Sequence, residues 1–228
     1  VSMMGRWEEI CQRQIERLVA SGLLVDAQFQ RLYVMALGPK SSFPKLEQML
    51  EGHEDKVSVV FFSENLELFE YPSIMKVREL AYQHPDSKIL YFHSKGVRRP
   101  PFLDDWAMFM EYFVLDHFDA CVAKLDSYDA AGASVFQGNK FFPPHFRGNF
   151  WWASARHVNE LPIPLPHWER HEYEFFIGKK ANISFWSFHQ PDIKWYGKNR
   201  EPYTVDKYAG SEKRGQAFTS SNNFLDQF

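Results

Sequence analysis

The sequence predicts an α/β domain whose parallel strands are joined by helical crossovers. Three observations predict it. Short apolar runs rich in strand formers recur at residues 31–37, 57–62 and 88–92. Segments with helical spacing separate them, at 43–51 and 71–84. The chain has 228 residues, of which 45% are hydrophobic and 17% aromatic, with 22 Phe, enough to bury one large core. Strands that alternate with helices indicate a parallel sheet.

Each element has its own signal. Trp7, Ile10, Cys11, Ile15 and Leu18 repeat at helical spacing, so 6–20 reads as an amphipathic helix stopped by Ser21-Gly22. The run at 31–37 (RLYVMAL) ends at Gly38-Pro39. The runs VSVVFF and KILYF give the second and third strands. The stripe Trp106, Phe109, Met110, Phe113 and Cys121 predicts one helix over 104–124, with Asp104-Asp105 at its positive N-terminal end. Strands are expected at 129–134, 149–153 and 183–187, and helices near 155–160 and 169–178. After residue 197 the composition shifts to Gly, Ser, Asn and Lys. The expected organisation is therefore one domain over 1–197 and an extension over 198–228, either a loose wrap or a partner contact.

Composition narrows the function classes. A net charge of -3 argues against nucleic-acid binding driven by bulk charge. It leaves room for one small phosphate-bearing ligand held by a local basic cluster. Cys11 and Cys121 form no CxxC pair, which excludes a zinc knuckle. No run of 18 apolar residues and no signal peptide is visible. With no disulfide framework either, a cytoplasmic location is favoured. The start at Val1 suggests a fragment of a longer protein.

Four constellations can carry chemistry. The first follows the third strand: His93-Ser94-Lys95-Gly96-Val97-Arg98-Arg99, with no acid between Asp86 and Asp104. Ligands of open parallel sheets bind beyond the carboxyl ends of strands. A glycine-freed backbone with fixed cations suits a diphosphate, although a solvated basic loop has the same composition. The second is 143–154, where His145, Arg147 and Asn149 sit beside Trp151 and Trp152. Aromatic faces and polar neighbours suit a sugar, but two packed tryptophans of a core strand read the same way. The third is 168–178, where Glu174 can serve as a general base or pair with Arg170 four residues away. The fourth is His189 after the strand at 183–187, able to ligate a divalent ion, touch a phosphate or cap the strand end, followed by Trp195-Tyr196. No Walker A loop, GxGxxG, GxSxG or clean Asp-x-Asp is present.

Together these segments resemble a glycosyltransferase-like group with the GT-A fold. Tyr91-Phe92-His93-Ser94-Lys95-Gly96-Val97 is similar to the group's Y-x-H-[ST]-K-G-V, and 106–113 (WAMFMEYF) to W-x-x-[YF]-M-x-Y-F. His145-Phe146-Arg147-Gly148-Asn149-Phe150-Trp151-Trp152-Ala153 is similar to H-F-S-G-N-F-W-W-A, and 174–178 to E-x-W-I-G. The resemblance covers roughly 6–197.

The resemblance implies a single GT-A-like, Rossmann-like domain with a mixed, mostly parallel central sheet flanked by helices. It implies a nucleotide sugar as donor, with a UDP-sugar favoured, and a glycan or other hydroxyl as acceptor. His93-Ser94-Lys95 occupies the usual place of Asp-x-Asp, and a protonated lysine neutralises phosphate but cannot ligate a cation. Metal dependence is therefore expected to be weak or absent, and no metal ligands are assigned. Donor binding is expected at His93, Ser94, Lys95, Gly96, Arg98 and His189. Acceptor binding is expected at His145, Arg147, Asn149, Trp151 and Trp152. Glu174 is the expected base, with Asp104 or Asp105 as rival. Arg147 departs from the group's serine and would either narrow the acceptor site or add a phosphate contact. Two other readings stay open: a non-catalytic glycan-binding or assembly domain on the same scaffold, and a metal-dependent hydrolase using the histidine-rich C-terminal half.

Overall fold

Helix α1 (Trp7–Ala20) buries Trp7, Ile10, Cys11, Gln14 and Leu18 on one stripe, as its spacing requires. The computed structural model describes residues 1–101, 104–166, 171–192 and 201–220. After α1 come β1 (Leu32–Leu37), α2 (Phe43–Leu50), β2 (Val57–Ser63), α3 (Tyr71–Gln83) and β3 (Lys88–Tyr91). All five fall where the apolar runs and the helical spacing put them. Strands β1 and β2 pair in parallel, as a helical crossover demands.

The long helix expected over 104–124 is instead two helices, α4 (Asp105–Glu111) and α5 (Phe118–Lys124), joined by a π-helical turn at Tyr112–Asp116. His117 leaves helical geometry (φ -119°, ψ 44°), and its N–H donates to Tyr112 O five residues back. The apolar stripe continues through this break, so spacing alone reads as one helix.

Next come β4 (Ala130–Gly132), β5 (Val135–Phe136), β6 (His145–Phe146), β7 (Trp151–Ser154) and α6 (Ala155–Glu160). Helix α7 (His171–Glu174), β8 (Ile183–Ser187) and β9 (Gln216–Ser220) complete the set. Strand β7 starts two residues later than expected because Gly148 and Asn149 both take positive φ (93° and 61°). Part of the expected helix at 169–178, with Arg170, lies outside the described residues, as does Trp195-Tyr196.

The central sheet is mixed, as expected, but mostly antiparallel rather than mostly parallel. One sheet has the order β3-β7-β4-β8-β9, and β1-β2 and β5-β6 form separate pairs. Strands β5 and β6 pair antiparallel and reverse the chain. Strand β7 therefore enters between β3 and β4 antiparallel to both. Strands β4 and β8 pair in parallel, and β9 returns antiparallel to β8.

Side chains alternate across a strand, so Trp151 and Trp152 enter different cores. Trp152 joins Trp7, Phe109, Phe113, Tyr203 and Tyr208. Trp151 joins Ile74, Val77, Tyr91, Tyr173 and Phe185 on the other face. Residues 201–220 pack against the domain: Tyr203 and Tyr208 are buried, and β9 extends the sheet.

Candidate functional site

The turn after β3 is built against the N-terminal residues. The N–H of Arg6 donates to Val97 O at 2.8 Å, and the N–H of Ser2 donates to Ser94 Oγ at 2.8 Å. Ser94 is buried by that contact, so its hydroxyl serves the turn. Gly96 reverses the chain at φ 94°, a conformation few side chains tolerate. Lys95 Nζ lies 4.7 Å from the centroid of the Trp106 ring, with the Arg99 guanidinium 5.6 Å from the same ring. The indole face thus holds two cations that would otherwise repel.

These cations border a cleft of about 360 Å³, within the range of small-molecule sites. Lys95, Arg98 and Arg99 line one part of it, and Glu70 and Glu174 line it with them. Glu70 precedes α3, whose first residues Pro72 and Ser73 also line the cleft.

Glu70 is the residue that the sequence reading missed. Asn149 Nδ2 donates to its Oε2 at 2.8 Å. His93 Nδ1 stands 3.6 Å from its Oε1. Burial, with the Glu174 carboxylate second, raises the Glu70 pKa to about 7, against the opposing pull of Lys95 and the Asn149 amide. A signal was present: Glu70 lies in the connection from β2 to α3, the same kind of strand-to-helix connection as the turn after β3.

His93 is fixed by its other nitrogen. Nε2 lies 3.1 Å from Gly148 O, and a carbonyl only accepts, so Nε2 carries the hydrogen. Burial first, then Lys95, lowers the His93 pKa to about 3. The ring is neutral at physiological pH and ties the cationic turn to the 148–149 bend. Gly148 takes φ 93°, which strains any side chain, and a Cβ there would lie 2.4 Å from Met110 Sδ and 3.3 Å from Lys95 Cε, so the position favours glycine.

Of the expected site residues, the structure brings together His93, Ser94, Lys95, Gly96, Arg98, Asn149 and Glu174. His189 stands elsewhere. Its ring lies 2.6 Å from Tyr203 Oη and 3.2 Å from Ser211 Oγ, against Phe109 and Phe113. It holds the C-terminal stretch to the domain.

The carboxylates proposed as rival bases are used structurally. Asp104 pairs with Arg6 at 2.8 Å and Arg13 at 3.3 Å. Asp105 Oδ2 accepts from the N–H of Tyr203 at 2.7 Å. Neither lines the cleft.

The tryptophan wall is also corrected. Trp151 is fully buried, and its Nε1 donates to Asn149 Oδ1 at 2.8 Å. Trp152 Nε1 donates to Val114 O at 2.8 Å. Both indoles are core residues because β7 is an interior strand with both faces covered. His145 packs between Phe136 and Phe175. Its Nδ1 donates to Pro143 O at 2.9 Å. Arg147 lies over Phe136, 5.5 Å from its centroid. Neither His145 nor Arg147 lines the cleft.

Among the described residues, no group of three or more His, Cys, Asp or Glu is arranged to hold a metal ion. No helix among them is long and apolar enough to cross a membrane.

The model of the DUF8361 family, a domain of unknown function, matches residues 2–212, and the chain belongs to that family. No curated protein and no solved structure matches it.

Proposed function

We propose that this DUF8361 domain is a glycosyltransferase that takes a nucleotide sugar, a UDP-sugar in the favoured case, and transfers the sugar to a glycan or other hydroxyl acceptor. The supporting observation is that Glu70 and Glu174 line the same cleft as Lys95, Arg98 and Arg99. Fixed cations match a diphosphate, and a carboxylate pair beside them matches proton transfer from an acceptor.

In this reading Lys95 and Arg98 neutralise the donor diphosphate. Glu174 accepts the proton of the acceptor hydroxyl. The acceptor oxygen forms its bond to the anomeric carbon while the bond from that carbon to the diphosphate oxygen breaks. The nucleoside diphosphate leaves with the electron pair. Each well-placed cation or donor typically supplies about 3 kcal/mol of barrier lowering. Burial and the neighbouring Glu174 carboxylate both favour a proton on Glu70, which lessens the repulsion between the two acids in the cleft. With both tryptophans in the core, Phe69 lines the cleft and offers a ring to a sugar face.

A thermal-shift titration with UDP and GDP at millimolar concentration, with and without Mn²⁺, tests the donor site. The expected result is a higher Tm with one diphosphate, independent of Mn²⁺ and lost in Lys95→Ala. No shift with either nucleotide overturns the reading.

A further inference from the structure

A second cleft, of about 980 Å³, lies between the edge of β1 and the edge of β3. The five-stranded sheet stops at β3, and the β1-β2 pair stops at β1. Leu32, Val34, Ile89 and Leu90 line the cleft along its two edges. Val77 on α3 packs with Ile89 on one face of β3. Phe118 and Trp152 pack with Leu90 on the opposite face. The cleft therefore has sheet edges on two sides and apolar side chains above and below, the surroundings of an interior strand.

Val1 already lines one end of it, and residues 1–3 run along β1. Leu37 N–H donates to Val1 O at 2.8 Å, Met3 N–H donates to Leu37 O at 2.7 Å, and the Val1 amino group donates to Met35 O at 2.5 Å. This is parallel pairing on β1, with Ser2 opposite Leu37. On the other side, Ser2 N–H donates to Ser94 Oγ just beyond β3. One short stretch is thus held by the edge of β1 and by the turn that follows β3. Leu32 N–H donates the other way, to Lys56 O, so odd residues of β1 direct their backbone groups toward the cleft. Continuing the alternation brings the amides of Met35 and Tyr33 to it. The Val1 amino group is buried, and burial lowers its pKa. A peptide N–H at that atom makes the same bond to Met35 O without a desolvated charge.

We propose that the cleft between β1 and β3 is a strand position of the sheet, filled by an extended apolar segment of about six residues joined to the amino group of Val1 and running parallel to β1. The segment carries apolar side chains on both faces and merges the two-stranded and five-stranded sheets into one. Its end, at Val1 and Ser2, opens onto the cationic cleft.

The test uses the 228-residue chain with six residues fused directly before Val1. Two strand sequences, one alternating Val and Ile and one alternating Val and Thr, are compared with a Gly-Ser fusion of equal length. Insolubility of one strand sequence then leaves the other to decide. The expected result is a Tm higher by about 5 °C or more and amide exchange at Tyr33 and Met35 slowed at least about tenfold, both relative to the Gly-Ser fusion. Strand fusions that match the Gly-Ser fusion in both readouts overturn the proposal. Protection by the same peptide added free, with none from the fusion, overturns the covalent assignment. Neither readout involves nucleotide, so this outcome is independent of the transferase reading.

Discussion

The side-chain amide of Asn149 donates to Glu70 Oε2 at 2.8 Å while its carbonyl accepts from Trp151 Nε1 at 2.8 Å. One residue therefore links the cleft carboxylate to the fully buried indole of β7. It does so from a left-handed backbone (φ 61°) that asparagine tolerates better than most residues. The cationic turn, the 148–149 bend and the start of α3 meet at this residue.

Asn149→Ala removes these two hydrogen bonds and the longer one to Tyr173 O at 3.4 Å, and keeps the unfavourable φ. A loss of about 2–3 kcal/mol is expected by urea denaturation. Asn149→Gly relieves the backbone but not the bonds, so it recovers only part of the loss.

Glu70 should make stability fall with rising pH. Its folded pKa of about 7 stands above the ordinary 4.5. Below 4.5 both states hold the proton and the group contributes nothing. Between 4.5 and 7 the unfolded chain ionises first, and above 7 the full penalty applies, about 3 kcal/mol by order of magnitude. Glu70→Gln should match the parent near pH 4 and become the more stable form by pH 8. Parallel stability curves for the two proteins would refute this account of Glu70.

Trp152→Phe strips the donor from the buried Val114 carbonyl. About 1–2 kcal/mol of stability should be lost. Glycan binding, measured by calorimetry, should not change, because this indole lies in the core rather than in a sugar site.

Truncation after residue 197 removes β9, Tyr203 and Tyr208, and uncovers Phe109 and Phe113. Each large buried aromatic lost costs about 3 kcal/mol or more. The truncated chain should melt at least about 10 °C lower, or fail to fold, in a calorimetric scan.

Local signals carried much of the fold. The spacing of Trp7, Ile10 and Leu18 marks α1, and the apolar runs mark β1, β2 and β3 within about one residue. Pairing was not legible, because β7 lies antiparallel between β3 and β4 through a reversal at β5 and β6 that is only two residues wide on each side. Lys95 in the turn after β3 and Glu174 at the end of α7 were both singled out by residue type and position, and both line the cleft. Glu70 and His189 could not be read this way, since their roles depend on partners 79 and 14 residues away, Asn149 and Tyr203. The tryptophans misled for a physical reason: an aromatic pair looks the same on an exposed wall and on an interior strand, and only the covered faces of β7 distinguish them.

The most direct test of the central claim measures UDP release from a panel of UDP-sugars by the parent chain, Lys95→Ala and Glu174→Gln. The account predicts acceptor-dependent release by the parent and loss of nucleotide binding in Lys95→Ala. Glu174→Gln should still show the UDP-induced Tm shift, with release at least about 100-fold slower. Release that is unchanged in Glu174→Gln, or absent for every donor in the parent, would contradict it.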